Sequence, residues 1–147
     1  MPRILVPSAA LRRPLCPTLG AMIYFIQGEI TRRIKIGCTT RFIHSRMGAL
    51  QIGSPDKLVF LGARPGDERT EYELHNKFQD AYSHGEWFHE SQDLTRYIEQ
   101  YCIHDVEIAH SVDSLVSSGV AAYESLLQLD YKEINERYMS YIADKLG

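Results

Sequence analysis

Two runs rich in β-branched and aromatic residues, 22–27 and 33–38, lie near the start of the chain. A glycine-containing loop of hairpin length separates them, which predicts an antiparallel pair of strands. In the second run Ile34 and Ile36 fall on one face, because side chains alternate along a strand. The opposite face carries Arg33, Lys35 and Gly37. We therefore expect one face that joins a core and one that is polar and basic.

Helical and strand patterns alternate after this hairpin. Thr39 and Thr40 are suited to be the N-cap of the first helix, whose apolar stripe is Ile43, Met47 and Leu50. The predicted segments are a helix over 41–51, a continuous apolar strand over 58–63, and helices over 67–82 and 92–102. Residues 83–88 read as a turn followed by a compact aromatic cluster. The order predicts an α+β fold with a small, mostly antiparallel three-stranded sheet flanked by helices.

The ends of the chain differ from this central region. Residues 1–21 contain four prolines and no sustained period, which predicts a loose N-terminal arm or a basic arm that touches a polyanion. A folded domain is expected over 22–104 and a serine-containing linker over 105–119. Residues 120–147 predict a C-terminal helical extension with an apolar stripe. That stripe must pack on something: intramolecular docking is favoured, and a homodimer seam or a protein partner is the alternative.

Charge is segregated along the chain in a way that the net value of −3 conceals. Residues 1–66 hold 10 Lys and Arg against 2 Asp and Glu, whereas residues 67–147 hold 6 against 17. A basic half in an acidic protein suggests a localised polyanion site, although chance clustering of surface charge gives the same pattern. There is no apolar run of transmembrane length, and the three cysteines form no disulfide or zinc pattern. We therefore expect a cytoplasmic protein.

Five side chains are candidates for chemistry, each with a structural alternative. Glu71 falls on the core-facing stripe of its helix, where a carboxylate must be paired, capped or bound to a cation. His75 lies one turn further on, within reach of Glu71. Arg46 borders an apolar stripe, where it either overhangs a cleft or covers apolar surface. Tyr24 and Lys35 are able to share a sheet face, although a strand tyrosine usually packs and a strand lysine is usually solvated. Together the five suit phosphoryl chemistry.

Five ordered motifs in residues 22–101 resemble those of the GIY-YIG nucleases, in the branch common in phages and prophages. In that branch the second motif reads KIG. The matching segments are Ile23-Tyr24-Phe25, Ile34-Lys35-Ile36-Gly37, Arg46-Met47-Gly48-Ala49-Leu50-Gln51, Pro65-Gly66-Asp67 together with Glu71-Tyr72-Glu73-Leu74-His75-Asn76-Lys77-Phe78, and His84-Gly85-Glu86-Trp87-Phe88. The first motif has Met22 in place of its glycine, and Lys35 stands where the founding pattern has tyrosine.

The resemblance implies roles for individual residues of a DNA endonuclease. Tyr24 corresponds to a general base or an orienter of the attacking water, and Arg46 to the group that stabilises charge on the scissile phosphate. Glu71 corresponds to the ligand of a single Mg²⁺ or Mn²⁺ ion, while the role of His75 is less defined. Arg33, Lys35, Arg41 and Arg46 are the expected DNA-binding residues. The alternative is a non-catalytic nucleic-acid-binding or regulatory module that retains the fold.

Overall fold

A five-stranded antiparallel sheet forms the centre of the protein in the computed structural model, which describes residues 21–106, 108–110 and 135–136. The strands lie in the order β3-β1-β2-β5-β4. Their bounds are β1, Met22–Gly28; β2, Ile34–Thr39; β3, Leu58–Pro65; β4, Tyr82–His84; and β5, Trp87–Phe88. The α+β class and the antiparallel β1–β2 hairpin are confirmed.

Three α-helices pack on this sheet within the described residues: α1, Ile43–Ile52; α2, Glu68–Lys77; and α3, Gln92–Tyr101. No described helix has the length and apolar character needed to cross a membrane. The predicted N-terminal arm and C-terminal helix lie almost entirely outside the described residues. Of the predicted linker, residues 105, 106 and 108–110 are described, and 106 and 108–110 are helical.

The sequence prediction of three strands is wrong, because residues 82–88 form a further hairpin. The predicted helix over 67–82 ends at Lys77 and is followed by a 3₁₀ turn, Gln79–Ala81, which leads directly into β4. In β5, Phe88 pairs with Ile34 of β2 and is fully buried. Strands of two and three residues are too short to show a period of their own. This hairpin therefore exists through its pairing with β2, a contact that local sequence does not reveal.

The start of α1 also differs from the prediction. Its N-cap is Phe42, which makes no side-chain capping bond, while the Thr39 hydroxyl accepts a hydrogen bond from the Arg41 backbone N–H at 3.0 Å. Thr39 therefore stabilises the turn that precedes the helix instead of capping it.

Both faces of the central strands are covered. On one face α2 and α3 pack against the sheet through a core that consists of Ile23, Phe25, Ile34, Ile36, Leu74, Phe78, Phe88, Leu94, Tyr97, Ile98 and Cys102. On the other face Met47 and Leu50 of α1 pack against Tyr24 and Ile26. The expected polar face of β2 is therefore not open to solvent, and Lys35 is only 8% exposed.

The side of β3 that faces away from β1 pairs at one residue with the segment that follows α3. Ala63 and Ile103 exchange two backbone hydrogen bonds of 2.9 and 2.7 Å. Asn135 contacts the same segment: its amide nitrogen donates to the Cys102 carbonyl oxygen at 2.9 Å, and its amide oxygen accepts from the His104 N–H at 3.0 Å.

Asp56 fixes the β1–β2 loop. Its carboxylate accepts hydrogen bonds from the backbone N–H groups of Ile30 and Thr31, at 2.9 and 3.0 Å, and from the Thr31 hydroxyl at 3.0 Å. These bonds, led by the one from the Thr31 backbone, hold the pKa of Asp56 below its ordinary value of 3.8. A depressed folded-state pKa means that the charged carboxylate stabilises the fold above the ordinary value. That contribution is lost as the pH falls through the folded-state pKa.

We therefore expect Asp56→Asn to lower the thermal unfolding midpoint near neutral pH, because an amide group replaces one acceptor with a donor. The difference from the parent protein should shrink as the pH falls below 3.8. Thermal melts followed by circular dichroism across this pH range measure the effect. The exposed Glu29 in the same loop provides the control, and Glu29→Gln should leave the midpoint nearly unchanged. An equal pH dependence of both variants would contradict the role given to Asp56.

Candidate active site

Tyr24 lies in the middle of β1, directly opposite Gly37 of β2. Its side chain is 1% exposed, and its ring lies against the Gly37 backbone so closely that a Cβ atom at Gly37 would overlap the ring carbon that bears the hydroxyl. The absence of a side chain at position 37 is therefore what lets the phenol cross β2. This contact explains the glycine of the IKIG segment.

Arg46 of α1 meets the hydroxyl of this tyrosine. Its Nε donates a hydrogen bond to the Tyr24 Oη at 3.3 Å, and its side chain is half-buried. Burial raises the pKa of Tyr24 above its ordinary value of 10.0, against the opposing effect of the Arg46 hydrogen bond and charge. Near neutral pH, Tyr24 is thus a neutral phenol that carries a proton.

Glu71 and His75 are presented by one face of α2. The helix starts at a capping box, in which Asp67 accepts from the backbone N–H groups of Arg69 and Thr70. One turn after Glu71, the His75 Nε2 donates to the Ile36 carbonyl oxygen at 2.9 Å, which ties α2 to β2. The same nitrogen lies 3.6 Å from Glu71 Oε1. The i, i+4 relation predicted for this pair is therefore realised, and Glu71 is half-buried beside β2.

Glu86 connects the remaining groups. Its carboxylate accepts a hydrogen bond from Lys35 Nζ at 2.6 Å, and its backbone carbonyl accepts from the Ile36 N–H at 3.1 Å. The Glu86 and Glu71 carboxyl groups also lie close enough to shift each other's pKa. The Lys35 ammonium also lies 5.8 Å from the centre of the Trp87 ring. One carboxylate thus bridges the lysine of β2 and the glutamate of α2.

The two carboxyl groups have opposite electrostatic environments. Burial, then the negative charge of Glu86 and the hydrogen bond to it, raise the pKa of Glu71 to about 8. Burial also opposes ionisation of Glu86, but the hydrogen bond and charge of Lys35 outweigh it and keep the pKa of Glu86 below its ordinary value. The surroundings therefore favour the protonated form of Glu71 and the ionised form of Glu86.

The structure brings the predicted Tyr24, Lys35, Arg46, Glu71 and His75 into one network. Tyr24, Arg46, Glu71 and Glu86 are close enough to affect one another's ionisation. The other predicted DNA-binding residues are not part of it: Arg33 precedes β2 and Arg41 follows it, so they lie at opposite ends of that strand.

The residue that sequence reasoning missed is Glu86. It belongs to the His84–Phe88 motif, but an acidic residue after a glycine turn gives no signal of its own. Its partners become visible only when β5 pairs with β2.

A single divalent cation fits the carboxyl pair. Two adjacent carboxyl groups offer oxygen ligands, and Mg²⁺ typically takes one or two carboxylates and keeps several waters. Within the described part of the chain, no group of three or more His, Cys, Asp or Glu side chains is arranged to hold a metal ion.

The motif resemblance implied an α+β domain with a tyrosine, an arginine and one glutamate on adjoining elements, and the structure adds a second carboxyl group, that of Glu86. The chain belongs to the T5orf172 domain family, whose sequence model matches residues 21–102. This phage-associated domain is related to GIY-YIG- and HNH-like nucleases and is compatible with a nuclease-like or DNA-binding module. None of the curated proteins and none of the solved structures gives a significant match to the chain. The expected phage association is thus supported at the level of the family.

The contact between Tyr24 and Gly37 gives a direct prediction. Gly37→Ala should destabilise the fold by about 1–3 kcal/mol, because the buried tyrosine ring has no free space into which to move. Gly48→Ala is the matched control, since no atom lies near a Cβ at that exposed helical position. It should stabilise the protein by about 0.5–1 kcal/mol. Urea unfolding measures both variants, and a Gly37→Ala protein as stable as the parent would refute the close approach.

Proposed function

We propose that this protein is a metal-dependent endonuclease that hydrolyses phosphodiester bonds in DNA through a GIY-YIG-like site. The observation that carries the proposal is the Tyr24–Arg46 hydrogen bond beside the Glu71–Glu86 carboxyl pair, within a T5orf172 domain. A metal-dependent hydrolase needs a positively charged side chain for the phosphate, a group that carries a proton, and oxygen ligands for the metal ion, all in one place. Arg46, Tyr24 and the two carboxyl groups are the candidates for these three tasks.

Arg46 and Tyr24 act on the phosphate and on the water. The guanidinium of Arg46 is half-buried, so it is able to keep its hydrogen bond to Tyr24 while it faces a substrate phosphate. There it stabilises the negative charge that develops as water attacks phosphorus and the bond to the leaving oxygen breaks. Because the pKa of Tyr24 is raised, the phenol is suited to orient the attacking water more than to accept its proton.

Glu71 is the residue that would hold the divalent cation, Mg²⁺ or Mn²⁺. When bound, the cation would neutralise charge on the phosphate and on the leaving oxygen. His75 fixes the helix that carries Glu71 through its bond to the Ile36 carbonyl. Lys35 is paired with Glu86, so the charges of these two side chains balance each other beside the phosphate site.

DNA is the proposed substrate, and Arg33 and Arg41 are proposed to contact its backbone on either side of the scissile phosphate. The two arginines flank β2, and Arg41 is exposed. Backbone contacts of this kind position a duplex without reading its sequence. Binding should accordingly weaken as salt rises.

Replacement of the Glu71 carboxyl group by an amide tests the proposed site of the divalent cation. Glu71→Gln keeps the size of the side chain and its ability to hydrogen-bond Glu86, but it removes the anionic ligand. We expect metal-dependent cleavage of plasmid DNA to be abolished while DNA binding in EDTA is retained. Glu73→Gln, an exposed glutamate on the same helix, should cleave at the parent rate. Cleavage by Glu71→Gln at the parent rate would overturn the one-cation site.

The arginine is tested by Arg46→Ala. Loss of one preorganised group that stabilises the transition state should lower the cleavage rate by roughly 10²–10³-fold. The single-turnover rate constant in Mg²⁺ measures this loss, with the dissociation constant for the same DNA as a separate readout. A parent protein that binds DNA but does not cleave it in Mg²⁺ or Mn²⁺ would favour a non-catalytic nucleic-acid-binding or regulatory module.

A further inference from the structure

The sequence motifs give Glu86 no role of its own, and the proposed mechanism assigns the divalent cation to its neighbour Glu71. We propose that Glu86 is a positioning residue of the active site: it holds the Lys35 ammonium and the Glu71 side chain in a fixed arrangement beside Tyr24. This inference rests on the proposed function, because it concerns how that site is kept in order.

Backbone geometry places Glu86 with little freedom. Gly85, with φ of +55°, forms the turn between β4 and β5 in a left-handed conformation that favours glycine. Immediately after this turn, the Glu86 carbonyl oxygen accepts the Ile36 N–H at 3.1 Å. His75 binds the carbonyl oxygen of the same Ile36. The backbone of one β2 residue therefore holds both Glu86 and the helix that carries Glu71.

The side chain of Glu86 is engaged on two sides. Its 2.6 Å bond to Lys35 joins a lysine side chain that is 10% exposed to a glutamate side chain that is 42% exposed. Because Lys35 is nearly buried, its ammonium depends on this partner: an unpaired charge in such a place is costly. The Glu71 carboxyl group is its second neighbour, so rotation of Glu86 would break the Lys35 ion pair and alter the surroundings of Glu71 together.

Residues that orient a metal ligand contribute to activity without contact with substrate. Loss of such a partner typically lowers metal affinity or activity by about 10- to 100-fold. In this site the orienting group is itself fixed by an ion pair between β2 and the turn that joins β4 to β5. The Lys35–Glu86 pair and Glu71 should therefore behave as one coupled unit.

The test is a double-mutant cycle on the full chain with Glu86→Gln, Lys35→Met and the double variant. We expect each single variant to lower the single-turnover cleavage rate by roughly 10- to 100-fold and to raise the Mg²⁺ concentration needed for half-maximal rate. The dissociation constant for DNA in EDTA should change by less than about twofold for Glu86→Gln, because a positioning residue does not contact the substrate. The loss in the double variant should be smaller than the product of the two single losses.

Glu90→Gln is the matched control. Glu90 also pairs across the sheet, accepting from Arg32 at 3.1 Å and from Gln27 at 2.8 Å, but it lies outside the network. Its substitution should leave the cleavage rate and the Mg²⁺ requirement as in the parent. Equal losses for Glu90→Gln and Glu86→Gln would show that any such ion pair is needed and would overturn the inference.

The outcomes separate the inference from the proposed function. If the parent protein does not cleave DNA in Mg²⁺ or Mn²⁺, the proposed function fails. If the parent cleaves and Glu86→Gln cleaves within twofold of it, only the inference fails. If Glu86→Gln unfolds, the double variant decides, because it removes both charges. A folded double variant with a low cleavage rate supports the positioning role. A double variant that cleaves at the parent rate would show that Glu86 only neutralises the charge of Lys35, and it would overturn the inference.

Discussion

The close approach of the Tyr24 ring to Gly37 is the constraint on which the arrangement of the site depends. It places a large aromatic side chain across a neighbouring strand in the middle of a sheet that is covered on both faces. The hydroxyl group is thereby carried to Arg46 on the helix that covers one face. The two residues that precede Gly37 in β2 make the other contacts. The Ile36 carbonyl oxygen accepts a hydrogen bond from His75 of α2, and the Lys35 ammonium forms an ion pair with Glu86. Three consecutive residues of one strand therefore organise contributions from two helices and a hairpin.

The parts of this arrangement that could be predicted from the sequence are those encoded locally. Ile34 and Ile36 indicate a strand because they alternate, and Asp67 indicates a helix start because its side chain caps the backbone two and three residues later. The spacing of Glu71 and His75 needs only a helix to bring them together. The motif order then connects these separate segments to Tyr24 and Arg46, which lie 22 positions apart and form a hydrogen bond.

What could not be predicted depends on contacts between distant segments. Lys35 reads as a solvated strand residue, and its burial follows from Trp87 and Glu86, about fifty positions away. The β4–β5 hairpin has too few residues for a pattern and is stabilised by Phe88 in the core. The predicted helix over 67–82 ends at Lys77, after the weak helix former Asn76, and a 3₁₀ turn then leads into β4.

The pairing of Ala63 with Ile103 has a consequence for the behaviour of the protein in concentrated solution. The outer strand of a sheet presents unpaired backbone groups on which a strand of another molecule is able to add, and this is a common route to aggregation. In β3 the chain occupies both hydrogen-bonding groups of Ala63 with its own downstream segment, at the point where that strand nears its end. The stretch of edge on which a second strand could add is thereby shortened, without a charged residue at that position.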